Sequence, residues 1–139
     1  MILPEEISRI QFLQNLDPSH LNRIARMARL EECLEGTVLF REGQASSDIY
    51  FILSGTVSLE VAEPDGEAIE IATVGEGDLV GWSPVLGQQT MTAAGRAITR
   101  CRLAPLDVKQ VLVLCERDTR LGVAFLRQLA LVLAARLDG

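Results

Sequence analysis

Few residues in this chain are of a type and spacing that could do chemistry. Ser83-Pro84 gives the clearest local signal: serine suits a helix cap, proline suits the first helical position, and a helix N-terminus directs free backbone N–H groups at a ligand. Thr92 could add one hydroxyl to such a weak anion site. Trp82 and Met91 stand beside these hydroxyls in sequence and are apolar. A tryptophan next to a glycine either packs into a core or pocket mouth, or stacks on an aromatic or hydrophobic ligand, and both readings stay open. An unbranched thioether fills irregular apolar space well, so the neighbourhood reads as apolar with a few donors.

Catalytic constellations are thin. His20 is the single histidine, so no Ser-His-Asp set forms without it, and no glycine-rich phosphate loop is followed by a lysine. Metal-dependent chemistry on a jelly roll needs two or three histidines converging from neighbouring strands. His20 follows Asp17-Pro-Ser19 at a helix start and reads as an exposed polar residue. The pairs Glu5-Glu6 and Glu31-Glu32 read as solvated helix faces. The chain is expected to be a non-enzyme without a metal site.

The elements that must position these residues are short strands with glycine corners. Gly36-Thr-Val-Leu-Phe-Arg-Glu-Gly43, Asp48-Ile-Tyr-Phe-Ile-Leu-Ser-Gly55 and Thr56 to Val61 are β-branched, aromatic and aliphatic runs at close spacing. Such a pattern fits a compact antiparallel barrel or jelly roll. Residues 67–74 continue it as a strand, 75–78 as a turn, and 92–106 as a strand pair. Residues 4–34 read as helical, with Ile7, Ile10, Leu13 and Leu16 at helical spacing and a restart at Asp17-Pro18. Arg23, Arg26 and Arg29 on that helix are followed by Glu31, Glu32 and Glu35, an ordinary charged surface rather than a nucleic-acid patch. The expected organisation is one domain over 1–139: N-terminal helices over 1–35, a β-roll over 36–107 and C-terminal helices over 108–139.

Composition agrees with one domain that has a true core, at 139 residues and 48% hydrophobic. The sequence carries no secretion-signal order and no uninterrupted apolar run long enough for a bilayer, so a cytoplasmic protein without a membrane partner is expected. Cys33, Cys101 and Cys115 are odd in number and scattered, and read as reduced thiols that are buried or idle.

The order of Gly36, Arg41-Glu-Gly43, Tyr50-Phe-Ile-Leu-Ser-Gly55, Gly77-Asp78, Gly81 and Arg96-Ala97 resembles the cyclic-nucleotide-binding domain of the Crp/Fnr regulators. Ile10 to Leu16 also looks like that family's leading helix, so the resemblance covers nearly the whole chain. It implies a mainly β fold with flanking helices, a double-stranded β-helix (jelly-roll) barrel with N-terminal helices and a C-terminal dimerisation helix. It also implies a phosphate-binding cassette between two strands. Members that bind cyclic nucleotides open its short helix with Gly-Glu, for the ribose hydroxyl, and close its loop with Arg-Ser or Arg-Thr, for the cyclic phosphate. This chain has Gly81-Trp82 and Met91-Thr92, or, if the loop is read without a gap, Thr92-Ala93. Either alignment lacks the arginine.

A buried phosphodiester without a compensating charge costs several kcal/mol, and two charge-assisted hydrogen bonds at about 1.5–3 kcal/mol each correspond to about two to four orders of magnitude in affinity. The ligand-binding set implied by the resemblance is Val80, Gly81, Trp82, Ser83, Met91, Thr92 and Ala93, with cyclic AMP or cyclic GMP bound weakly as the candidate ligand. On a strand from Thr92, Arg96 could supply the missing charge from farther along, or form an inter-strand ion pair. An iron–sulfur centre, used elsewhere in the wider family, needs four clustered cysteines, and haem would have to use His20 or a cysteine.

Asp118 can cap a last helix that is apolar almost all round from Leu121 to Leu137, apart from Arg127, Gln128 and Arg136. Such a helix must be covered on more than one side. Leu126, Leu129 or Ala130, Leu133 and Leu137 approximate the seam of a two-helix contact, and the resemblance likewise implies a homodimer along this helix. In the family the helix continues into a base-capping segment and a DNA-reading domain. The sequence ends at Gly139 and carries a net charge of −6, so direct DNA binding is not expected, and the chain is either a stand-alone module or part of a longer regulator. Two functions are expected: a regulatory or sensor module that binds a nucleotide weakly or another small ligand, or a protein-interaction or scaffold domain that has lost its ligand.

Overall fold

The run from Asp48 to Ser54 is apolar at most positions, which a strand requires when both of its faces are covered. The computed structural model describes residues 2–45, 48–87 and 90–138, with the side chains of all of these except Pro4, Arg136, Leu137 and Asp138. In chain order its strands are β1 (Glu31–Cys33), β2 (Val38–Phe40), β3 (Asp48–Ser54), β4 (Val57–Ala62), β5 (Ala68–Val74), β6 (Leu79–Val80), β7 (Ala94–Ala97) and β8 (Cys101–Asp107). They form two four-stranded antiparallel sheets, ordered β1-β8-β3-β6 and β2-β7-β4-β5. This is the mainly β roll with flanking helices that the order of glycines predicts.

β3 is covered on both faces. Ile49, Phe51 and Leu53 face a first core built with Ala104 and Leu106 of β8 and with the helices. Ile52, on the alternate face, joins Phe40, Val57, Val80, Met91, Ala97 and Leu103 in a second core between the sheets. The second sheet has a covered inner side only, and β5 is exposed along most of its length.

The helices are α1 (Pro4–Ile7), α2 (Gln11–Gln14), α3 (Pro18–Met27), α4 (Val108–Arg117) and α5 (Thr119–Asp138). Aspartates start three of them: Asp17 accepts from the Ser19 N–H, Asp107 from that of Gln110 and Asp118 from that of Leu121. α5 lies on the first core through Leu121, Phe125 and Leu129. Phe12 of α2 touches both Phe51 and Phe125, with ring centroids 5.6 and 4.9 Å apart, so α2, β3 and α5 meet at one aromatic cluster. Arg102 of β8 holds Glu6 of α1 through two hydrogen bonds of 2.6 and 3.2 Å, and that guanidinium keeps the Glu6 carboxyl below the usual carboxylate range.

Two expectations change. The segment 4–34 is not continuously helical, and the N-terminal helices do not run to residue 35. Ala28 leaves the helical region at φ −74 and ψ 137, the Arg29 N–H donates to the Pro105 carbonyl at 2.9 Å, and residues 31–33 pair with β8. Glu31-Glu32 is therefore part of an edge strand, with Glu32 3.1 Å from Arg100. A short acidic strand with both glutamates solvated has no alternation to distinguish it from a helix face. The helix seam also changes: Leu129 is fully buried against the first core, so the outward stripe of α5 is Val123, Leu126 and Ala130, with Leu133 half-buried. The side chain of Leu137, expected in that seam, lies outside the described residues. Among the described residues no helix is long and apolar enough to cross a membrane, and no group of His, Cys, Asp and Glu could hold a metal ion.

Candidate functional site

β6 delivers the chain to the cassette, with Val80 opposite Tyr50 and Leu79 opposite Phe51. Gly81 then turns at φ +81, and a Cβ there would come within 2.9 Å of the Asp48 carbonyl oxygen, so only glycine lets the chain leave β6 this close to β3. Trp82 follows, and Ser83–Leu86 form a single 3-10 turn closed by Gly87 in the left-handed region. The far end of the cassette is pinned at Met91. Its N–H donates to the Gln44 carbonyl and its carbonyl accepts from Gly43, each at 2.8 Å. Thr92 and Ala93 then lead into β7.

These residues meet around a hollow of about 40 Å³. All seven residues of the expected set line it: Val80, Gly81, Trp82 and Ser83 from one end of the cassette, and Met91, Thr92 and Ala93 from the other. Phe40 and Leu59 complete the lining and were not in the expected set. Gly95 was the available signal for Phe40, because a glycine inside a strand marks a close approach, and a Cβ there would sit 2.6 Å from the Phe40 ring. Phe40 also stacks against Tyr50 at 6.2 Å. Burial pushes the Tyr50 phenol up to about 12, so it stays protonated at neutral pH.

The hollow is apolar, and among the described residues no charged side chain lines it. Met91 is buried within the second core, and Trp82, half-buried, packs against the first. The polar groups are Ser83 and Thr92, whose hydroxyl oxygens lie 3.2 Å apart, either able to donate. One hydroxyl hydrogen is used in that contact, and the other has no further partner among the described residues. Serine is not the expected cap. Trp82 occupies that position, no side chain caps the turn, and Ser83 instead directs its hydroxyl at Thr92. A single 3-10 turn in place of a longer helix also removes the helix N-terminus on which the expected anion site rested.

Arg96 resolves to the inter-strand reading. Leu59 lines the hollow, whereas Glu60 and Arg96 line a separate groove with Val38 and Arg41, on the other face of the second sheet. Arg96 grips Glu60 there with hydrogen bonds of 2.7 and 3.3 Å, and this holds the Glu60 carboxyl below its usual range. Its charge is thus spent on a neighbour, away from the cassette. His20 departs from the expected exposed polar residue: it is half-buried, and its Nδ1 has no hydrogen-bond partner among the described residues.

The sequence profile of the family described as "Cyclic nucleotide-binding domain" matches residues 30–118. A CRP-like cAMP-activated global transcriptional regulator of Mycobacterium tuberculosis is 24% identical over 76% of this chain and 47% of its own. A Geobacter metallireducens protein described as cyclic nucleotide-binding shares the fold with a TM-score of 0.85 at 23% identity, over 99% of both chains. The regulatory subunit of a cAMP-independent protein kinase A from Trypanosoma cruzi, bound to guanosine, has a TM-score of 0.69 at 25% identity, over 75% of this chain and 37% of that one. The chain spans less than half the length of the curated relatives it matches.

Proposed function

This chain belongs to the cyclic nucleotide-binding domain family, and from that premise we propose that it is a non-catalytic regulatory module whose cassette hollow takes a small, weakly polar ligand and binds cyclic AMP or cyclic GMP weakly at most. One observation carries the reading: the two ends of the cassette close on a hollow of about 40 Å³ that no charged side chain lines among the described residues. Ligand sites ordinarily measure about 300–1,000 Å³, so a whole nucleotide enters only if Trp82 or Met91 moves. A cyclic phosphate placed there meets two hydroxyls and no cation, and its desolvation is not offset. A neutral nucleoside has no such deficit. The guanosine-bound kinase subunit from Trypanosoma cruzi is a precedent for that ligand class on this fold.

Calorimetric titration with cyclic AMP and cyclic GMP up to millimolar concentration is expected to give no heat or a millimolar Kd. The companion variant Met91→Arg restores a cation at the loop end and is expected to gain about 10- to 100-fold in affinity, the equivalent of one charge-assisted hydrogen bond. A micromolar Kd for the unaltered chain overturns the reading.

A second reading, an interaction or scaffold domain, is favoured by the outward stripe of α5. Val123 and Leu126 are 59% and 45% exposed, and with Ala130 they follow the spacing of three and four that a two-helix seam requires, Leu133 continuing the series while also packing against the first core. A second copy of the chain is the proposed occupant. Leu126→Glu is expected to shift sedimentation from dimer to monomer, and identical sedimentation of the two proteins removes the seam.

A further inference from the structure

Cys33 and Cys101 stand directly opposite each other in the β1–β8 ladder although most of the barrel sequence lies between them. Opposed residues of an antiparallel pair share one face of the sheet, with Cα atoms about 4.5–5.5 Å apart. Disulfides span Cα separations of about 4.4–6.8 Å, so the pairing of the two strands already places these residues within the Cα reach of a disulfide. Both side chains face the second core: Cys101 is buried in it and Cys33, half-buried, packs against it. They differ in access. β1 is the edge of its sheet, which opens Cys33 to solvent, whereas the Cys101 thiol is 1% exposed and directs its weak donor at the carbonyls of Thr99 and Thr56. Cys115 is elsewhere, on α4 against Gly122 of α5.

We propose that Cys33 and Cys101 form a reversible oxidation site, closed to a disulfide by exchange with a small disulfide such as oxidised glutathione. The Cys33 thiol loses its proton and attacks one glutathione sulfur, which forms a mixed disulfide and releases one glutathione thiol carrying that proton. Cys101 then loses its proton and attacks the Cys33 sulfur, which forms the Cys33–Cys101 bond and releases the second glutathione thiol. Two cysteine thiols are oxidised and one glutathione disulfide is reduced to two thiols. Accessible Cys33 is the entering thiol and enclosed Cys101 the resolving one. Burial raises the Cys33 thiol above its usual range, so the exchange quickens as the solution becomes alkaline. The bond joins an edge strand to its neighbour along the wall of the core that holds Phe40, Val80 and Met91, the residues around the cassette hollow.

The native chain, incubated with excess oxidised glutathione at mildly alkaline pH, quenched in acid, unfolded and alkylated, is mapped without reduction. The expected result is a linked pair of peptides carrying Cys33 and Cys101, a loss of two hydrogens from the intact chain, and reversal by a dithiol. Cys101→Ser is expected to stop with one glutathione on Cys33, and Cys33→Ser to leave Cys101 free. Recovery of both cysteines as alkylated thiols from the native chain overturns the proposal, as does a link from Cys33 to Cys115 or to a second copy.

Discussion

The two cores on either side of β3 are built from different materials. On the helix side, Phe12, Phe51 and Phe125 interlock with buried leucines and isoleucines of α2, α3 and α5 and of β3, β6 and β8. On the barrel side the members are fewer and mostly smaller, three valines with one each of alanine, cysteine, methionine, isoleucine, leucine and phenylalanine, and a hollow remains at the cassette. Large, rotamerically restricted rings leave little room for rearrangement, whereas a flexible thioether beside a void can repack. The difference teaches that rigidity is concentrated where the helices dock and adaptability where a ligand would enter.

Three substitutions test that contrast. Phe51→Ala removes a fully buried ring from the helix side and is expected to cost about 3–5 kcal/mol in urea denaturation, enough to unfold a domain of ordinary stability. Met91→Ala is expected to cost only about 2 kcal/mol, because the residue already borders a void. It should also enlarge the hollow and raise the affinity for neutral nucleosides in the same titration format. An equal cost for the two would erase the contrast. Arg96→Gln is expected to change stability by less than about 1 kcal/mol, since its guanidinium pair with Glu60 is partly solvated and 41% exposed on the arginine side. It should leave nucleotide affinity unaltered. A loss of binding there would return Arg96 to the cassette.

Much of this arrangement was legible in the residues, and the reasons are specific. The corners at Gly55 and Gly81 could be read because close approach excludes any Cβ there, by Arg100 and Asp48 backbone atoms respectively. The apolar run of β3 marked a strand, and its coverage on both faces emerged only from the packing. Strand β1 was missed because its two glutamates are both solvated, which leaves no periodic signal in three residues. The choice between Leu129 and Ala130 in the outward stripe could not be made from a helix apolar on nearly every side. Packing decided it, since Leu129 fills the first core. The Ser83–Thr92 contact was equally hidden, because a hydroxyl beside a proline reads as a cap until a second hydroxyl is placed across from it.

A strand wet on neither side has a consequence for assembly of the chain. Ordinary half-buried strands find their alignment by polarity, because sliding one residue would drown greasy side chains and strand charged ones in oil. β3 has a weak compass at its centre: a slip of one step exchanges Ile49, Phe51 and Leu53 for Tyr50 and Ile52, and only the end residues Asp48 and Ser54 mark the change by polarity. Its correct seating is chosen by bulk, with the Phe51 ring admitted only on the side where Phe12 waits. Trimming that ring would therefore blunt the criterion by which the nascent barrel recognises its own proper alignment.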